Sequence, residues 1–369
     1  MINAANKRQG VVTAAVLAAG LAAAPAFAQN NITPYGIVDV AVARTTNADA
    51  AGHSMTKEPS LTGSVPSRIG FRGEEDLGGG LSALVTLESG YNPDVGTLGQ
   101  GGRIFGRQAW VGLKGQWGTL QLGRVLNMTY YALLKSDVLG PNLFSISSID
   151  LYIPNARSDN AVAYIGKFGA VVAGATYSLG RDASAAGGPA ATNCAGEVPG
   201  NAKACRQYTG LLGYEGQAYG INASVDKLYG NAGAANGLTS SGRFDRRITV
   251  NGYAMLGRTK IGAGVMDRKI DAATGVTESD LYYLGVSYPV TGQLTLDAQV
   301  ARKSVKDSPD DSNLFVARLT YALSKRSSVY GAIGRMDNRG RAANALDAAG
   351  TVGIGQAQNG VMTGLRHIF

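Results

Sequence analysis

The feature that most constrains this chain is a period of two. Segments of roughly ten residues alternate apolar with polar or small side chains, and a turn or loop follows each. Successive side chains of a β-strand point to opposite faces, so the pattern marks strands with one apolar and one polar face. In residues 80–91, Leu81, Ala83, Val85 and Leu87 share one face, and Ser82, Thr86 and Glu88 the other. In 292–303, Leu294, Leu296, Ala298 and Val300 oppose Thr295, Asp297, Gln299 and Lys303. In 279–289, Tyr282, Leu284, Val286 and Tyr288 oppose Tyr283 and Ser287; in 313–323, Phe315, Ala317, Leu319, Tyr321 and Leu323 oppose Arg318 and Thr320. No sustained 3.6-residue periodicity appears, and no linker marks a second domain. Alternation alone leaves open which medium the apolar face meets, because a soluble sandwich reads the same way.

The connections narrow the choice. Tight turns are expected at Leu77-Gly78-Gly79-Gly80, 115–118, Lys167-Phe168-Gly169, Glu215-Gly216-Gln217, Leu256-Gly257-Arg258, 289–292 and 324–327. Longer loops are expected near 46–65, 92–102, 124–158, 178–206, 230–242, 268–278, 304–312 and 337–357. Eight long loops alternating with seven short turns connect sixteen strands. Short turns on one rim and long loops on the other are what outer-membrane barrels show. The expected fold class is all-β: a sixteen-stranded antiparallel transmembrane β-barrel with short periplasmic turns and long extracellular loops. Its spans need ~9–11 residues each.

The N-terminus fits an exported chain. Lys7 and Arg8 precede an apolar, alanine-rich run at 11–24, and Ala26-Phe27-Ala28 follows. That is the form of a signal peptide over 1–28, cleaved after Ala28, which leaves 29–369 for the barrel. The run is short for a ~20-residue membrane helix. No later stretch is apolar enough for a helical span, yet 45% of residues are hydrophobic. With 52 glycines and only 11 prolines, the composition suits neither a helical membrane protein nor a disordered chain.

Charge and cysteines limit the partners. The net charge is +8, two of it on Lys7 and Arg8. An exported basic chain has no obvious nucleic-acid partner, so the excess is expected to line an anion path or to meet acidic lipid. Cys194 and Cys205 lie in a stretch rich in Gly, Ala and Pro. An oxidising periplasm favours a disulfide clipping that surface loop over two free thiols. The only histidines are His53 and His367, with no ligand spacing, so neither a metal site nor a cofactor is expected. Asp307, Asp310 and Asp311 lack the spacing of a calcium loop. A serine hydrolase would need a histidine base within reach of its serine, but His53 sits in a loop and His367 is expected to face lipid; no Gly-x-Ser-x-Gly elbow and no His-Glu-x-x-His of a zinc protease appears. Gly78-Gly79-Gly80 has no following Lys-Ser/Thr and sits between strands, so it is a turn rather than a nucleotide loop. An enzyme is therefore not expected, and an adhesin would not need an apolar outer belt.

The chain closes on Val361, Thr363, Leu365, His367 and Phe369, all on one face. A terminal aromatic there fits the girdle at a membrane interface, and Phe369 is read as the barrel-closure and assembly signal. Several motifs in order then carry a resemblance. They are Thr33-Pro34-Tyr35-Gly36-Ile37-Val38-Asp39, Ser67-Arg68-Ile69-Gly70-Phe71-Arg72-Gly73-Glu74-Glu75-Asp76-Leu77-Gly78-Gly79-Gly80 and Arg107-Gln108-Ala109-Trp110-Val111-Gly112-Leu113. Gly118-Thr119-Leu120-Gln121-Leu122-Gly123-Arg124, Leu323-Ser324-Lys325-Arg326-Ser327-Ser328-Val329-Tyr330 and Gly364-Leu365-Arg366-His367-Ile368-Phe369 follow. Over essentially the whole mature length the chain resembles the general porins of Gram-negative bacteria, in particular the Neisseria and Burkholderia type.

The resemblance implies an outer-membrane homotrimer in contact with lipid and lipopolysaccharide. It also implies a third long loop folded into the lumen. The segment 124–158 lies where that loop belongs, and its mixed character suits a loop packed on the inner wall. Such a pore passes small hydrophilic solutes and ions, and the charges at its narrowest level set ion preference. By resemblance, Arg68, Arg107 and Arg157 match the positions where anion-preferring members place a constriction cluster. Arg72 shares a strand face with Arg68, and Arg124 with Arg157 brackets the long loop. Guanidinium groups stay charged at any relevant pH, so a stacked cluster draws in anions. Asp137 and Asp150 are candidates for an opposing field. Each arginine has a plainer reading too, as a partner of a nearby carboxylate that stiffens the barrel.

Overall fold

The computed structural model describes residues 31–60, 62–184 and 191–369. The expected export signal over 1–28, cut after Ala28, lies outside them. Among the described residues sixteen long strands form one closed sheet: β1 (Asn31–Thr45), β2 (Arg68–Gly78), β3 (Leu81–Asn92), β4 (Gln108–Gly115), β5 (Gly118–Leu126), β6 (Arg157–Phe168), β7 (Val171–Ser178), β8 (Gln207–Glu215), β9 (Tyr219–Tyr229), β10 (Phe244–Leu256), β11 (Thr259–Ala272), β12 (Gly275–Pro289), β13 (Leu294–Val305), β14 (Ser312–Ala322), β15 (Ser327–Asn338) and β16 (Gln358–Ile368). Each pairs antiparallel with its chain neighbour. The ring closes where β1 pairs with β16 through Val42↔Thr363 and with β2 through Ile37↔Arg68. Phe369 completes the seam: its carbonyl accepts from the Gly36 N–H at 3.0 Å, and its own N–H donates to the Gly36 carbonyl at 3.1 Å. Closure removes every edge strand, which is the condition for a sheet to sit in lipid.

Alternation now has a direction. The apolar faces point outward: Val85, Leu284, Val300, Leu319 and Val361 are exposed, while their polar neighbours Thr86, Gln299 and Arg318 are buried inside the ring. A sandwich would show the reverse. No described helix is long and apolar enough to cross a membrane. The seven tight turns sit where expected. One long loop does not: residues 273–274 alone join β11 to β12. The charged run around 268–278 reads as a loop, but its charges pair across strands instead. Lys269 Nζ lies 2.6 Å from Glu278, directly opposite in register, and Arg246 Nη2 lies 2.9 Å from Asp267. Cross-strand ion pairs let a polar segment remain a strand above the lipid.

The buried core lies inside the barrel. Loop 3 (127–156) turns inward, and Phe144 and Ile146 pack with Val316, Met336, Leu346 and Met362. Leu346 belongs to the loop 339–357, so two loops share this core and hold each other against the inner wall. Cys194 and Cys205 form a disulfide in the loop between β7 and β8, as expected.

Candidate functional site

Loop 3 is fixed along one side of the lumen. Asn127 caps its first helix, α1 (Met128–Leu133), by accepting from the Thr129 N–H at 3.2 Å. The Met128 N–H donates to Thr209 on β8, and Thr129 Oγ1 donates to Asp226 on β9 at 2.9 Å. Further along, the backbone touches the wall itself. A Cβ on Gly262 of β11 would lie 1.9 Å from the Ser136 carbonyl oxygen, so only glycine admits the loop there. Ser136 Oγ meets Tyr283 Oη at 2.6 Å, and Gln299 bonds both Asp137 and the Ile146 N–H. Arg318 donates to the Leu139 carbonyl at 3.2 Å while paired with Asp297 at 2.8 Å.

The two loop acids serve this attachment. Arg247 of β10 grips Asp150 with two bonds, at 2.8 and 3.2 Å, and Arg268 adds a contact at 3.6 Å. Burial opposes the charge on Asp150, but the two guanidiniums outweigh it and hold its carboxyl well below the usual range. Asp137 has no such partner. Burial pushes it up to about 6, against its bonds from Gln299 and the Gly140 and Leu139 amides. Tyr152, pushed up by burial and by Asp226, donates to that carboxylate and lies 4.4 Å from the Arg247 guanidinium.

The facing wall is basic. Arg68 on β2 and Arg107, one residue before β4, converge on Glu88 of β3. Arg107 Nε lies 2.7 Å from one carboxylate oxygen and Arg68 Nε 3.5 Å from the other. Tyr35 donates to Glu88 at 2.9 Å. Parity alone does not give the direction of Arg107, because the strand it leads into is apolar on both faces. The structure resolves it: the residue lies ahead of the ladder and turns to Glu88. Arg157, 2% exposed at the start of β6, lies within electrostatic range of Arg107, Arg124 and Glu88. One of its terminal nitrogens donates to Asn155 at 3.0 Å; Nε and Nη2 have no hydrogen-bond partner among the described residues.

The structure thus brings Arg68 and Arg107 together at Glu88, with Arg157 in range of Arg107 and of Arg124. Arg72 is further along β2 toward the short-turn rim, its guanidinium 4.1 Å over the Tyr35 ring. Arg124 lies with Arg157, Arg103 and Arg181 in one recess, paired to Asp159 and donating to the Gly106 carbonyl. Sequence reading missed Glu88 as the hub of the cluster. Its signal was present: a lone carboxylate on the polar face of β3. It also missed Arg247 and Arg268, which oppose Asp150.

Comparison with known proteins agrees with this fold. The family model for Gram-negative porins matches residues 13–341. The chain belongs to that family. Outer membrane porin protein 32 of Delftia acidovorans is 30% identical over 379 residues, covering 98% of this chain and 100% of the relative. An outer membrane porin protein of Bordetella pertussis is 28% identical, covering 86% of this chain and 91% of the relative. Among solved structures, the anion-selective porin from Comamonas acidovorans superposes with a TM-score of 0.75 at 26% identity, covering 92% of this chain and 100% of that one. This porin is therefore an outer-membrane protein, with the fold of a channel family rather than of an enzyme.

Proposed function

We propose that this porin is a water-filled channel for passive diffusion of small hydrophilic solutes, with a preference for anions. In this reading the segment 124–158 narrows the lumen, and Arg68, Arg107 and Arg157 set the charge at that level. The observation that carries it is the imbalance of the cluster: two guanidiniums, Arg68 and Arg107, share one carboxylate, Glu88, with Arg157 in electrostatic range, and two nitrogens of buried Arg157 have no hydrogen-bond partner among the described residues. A buried charge without a counter-charge is costly, and a passing anion relieves that cost. Further inward cations have no carboxylate at ion-pair distance among the described residues, including Arg72, Lys260 and Lys303. The anion selectivity named for the Comamonas acidovorans porin supports the same reading.

The test is a reversal potential in a salt gradient across a planar bilayer. The expected result is anion preference, shifted toward cations in the R68Q/R107Q/R157Q variant. A cationic preference insensitive to those changes would overturn the reading.

We further propose a homotrimer that contacts outer-membrane lipid and lipopolysaccharide. The outward faces differ around the ring. β1–β5 present Val42, Ile69, Val85, Val111 and Leu122, with Phe71 on the strands and Trp117 in the β4–β5 turn as the exposed aromatics, whereas tyrosines crowd both rims from β6 to β14. Aromatic girdles belong where lipid headgroups are met, so the plain face suits contact with protein. Val111→Arg should convert the trimer to monomer on unheated electrophoresis. A trimer of undiminished stability would count against this interface.

A further inference from the structure

The outward rim over β7–β10, at the long-loop end, carries cations of an unusual kind. Tyr177, Tyr208, Lys227 and Arg246 lie opposite one another in register across the four strands. One step higher, Tyr229 pairs with Phe244. Lys227 Nζ sits 5.0 Å from the Tyr229 ring centre and 4.2 Å from that of Phe244. Lys203, from the loop between β7 and β8, sits over the same Tyr229 ring at 4.4 Å, and Arg206 lies 5.2 Å over Tyr177.

Two facts separate Lys203, Arg206 and Lys227 from other rim charges. On neighbouring strands the cations are neutralised: Arg246 and Lys306 by Asp267 at 2.9 and 3.0 Å, Lys269 by Glu278 at 2.6 Å. These three have no ion-pair partner among the described residues, and Arg206 Nη1 is buried without a hydrogen bond. They are also held in place. The Cys194–Cys205 disulfide lies between Lys203 and Arg206, the Cys205 N–H donates to the Gly230 carbonyl at 3.0 Å, and the Tyr229 N–H donates to the Arg206 carbonyl at 2.8 Å. Like charges gathered on one patch repel unless an anion joins them.

We propose that this patch binds a phosphate group of an anionic glycolipid of the outer leaflet, gripped by Lys203, Arg206 and Lys227, an inference that rests on the outer-membrane lipid contact proposed above. The patch faces out of the barrel, so its occupant is not a solute in the lumen. It sits at headgroup height, where tyrosine and cation belong together. Directly below it the outward wall is apolar, with Leu212 63% exposed and Val225 beside it, and acyl chains fit there. Phosphate above and hydrocarbon below describe a phosphorylated lipid, which a free anion does not match. The disulfide then has a purpose: it sets two of the three cations over their rings.

The test uses the full-length trimer, purified in detergent and stripped of endogenous glycolipid, titrated by native mass spectrometry. The probes are bisphosphorylated lipid A, its monophosphorylated and phosphate-free forms, and inorganic phosphate. Affinity should fall with each phosphate removed. It should fall about fivefold for K227Q and on the order of a hundredfold for K203Q/R206Q/K227Q. K306Q, whose lysine is already paired, should bind as the unaltered chain. Unitary conductance confirms that each variant has folded, and K227Q alone suffices should the triple variant fail to fold. Equal binding of all three lipid forms, or an unaffected K227Q, overturns the proposal. So does inorganic phosphate binding as tightly as the lipid, or chain-to-chain crosslinking through Lys227 that shows the patch covered by a second copy.

Discussion

Asp137 makes the loop 3 attachment dependent on pH. Its carboxyl accepts from Gln299 Nε2 at 2.8 Å and from the Leu139 N–H at 3.2 Å, with Arg318, Lys260 and Tyr283 as the charged or titratable groups around it. Burial raises it to about 6 while the loop is docked. Released into water, it returns to the ordinary carboxylate value of roughly 3.9. A raised carboxyl binds its proton more tightly in the docked state, so docking is strongest below the released value and weakens as pH rises through the docked one. Between pH 5 and pH 7.5 the two states diverge by at most about 1.4 kcal/mol, or roughly tenfold in the released population. That is an upper figure, because the carboxyl keeps partial water contact. Brief closures in single-channel records, taken as excursions of the loop, should become up to about tenfold more frequent over that interval. In D137N they should stay infrequent and flat with pH. Asp150, held low by Arg247 and Arg268, stays ionised throughout, so the second tether does not contribute to the slope. A closure rate independent of pH, or an equal slope in D137N, would refute the reasoning.

Two further perturbations follow from the packing. Glu88→Gln leaves Arg68 and Arg107 without their shared carboxylate, so anion preference should rise, while breaking a buried pair of this kind costs about 3 kcal/mol in denaturant unfolding. Unchanged reversal potential would show that the cluster lies away from the ion path. Gly262→Val places side-chain atoms where the Ser136 carbonyl now lies, so loop 3 must lift from the wall and unitary conductance must change. Unaltered conductance would mean that the loop does not define the narrow level.

Strand number, turn positions and inward faces were legible because each depends on residues close in sequence. Alternation reports parity, and parity alone separates Val85 from Thr86 or Val300 from Gln299. The segment 268–278 was not legible for the opposite reason. Whether Lys269 and Asp267 end a strand or extend it depends on Glu278 and Arg246, which neighbouring strands supply.

The site follows the same division. Direction is local, but height along the barrel axis is set by register between strands. Arg68 and Arg107 reach Glu88 because β2 pairs with β3 through Gly70↔Glu88 and β3 with β4 through Glu88↔Gln108. A slip of two residues in either ladder would preserve every apolar face and every alternation, yet part the arginines from their carboxylate by ~7 Å. The inner wall does carry a readable trace of loop 3. Gly262 and Gly285 stand at inward positions of adjacent strands where polar side chains would otherwise line water, and a Cβ on either would overlap the loop. Missing side chains on a polar face therefore mark where backbone is to lie, and in this chain they mark it from the far side of the sequence.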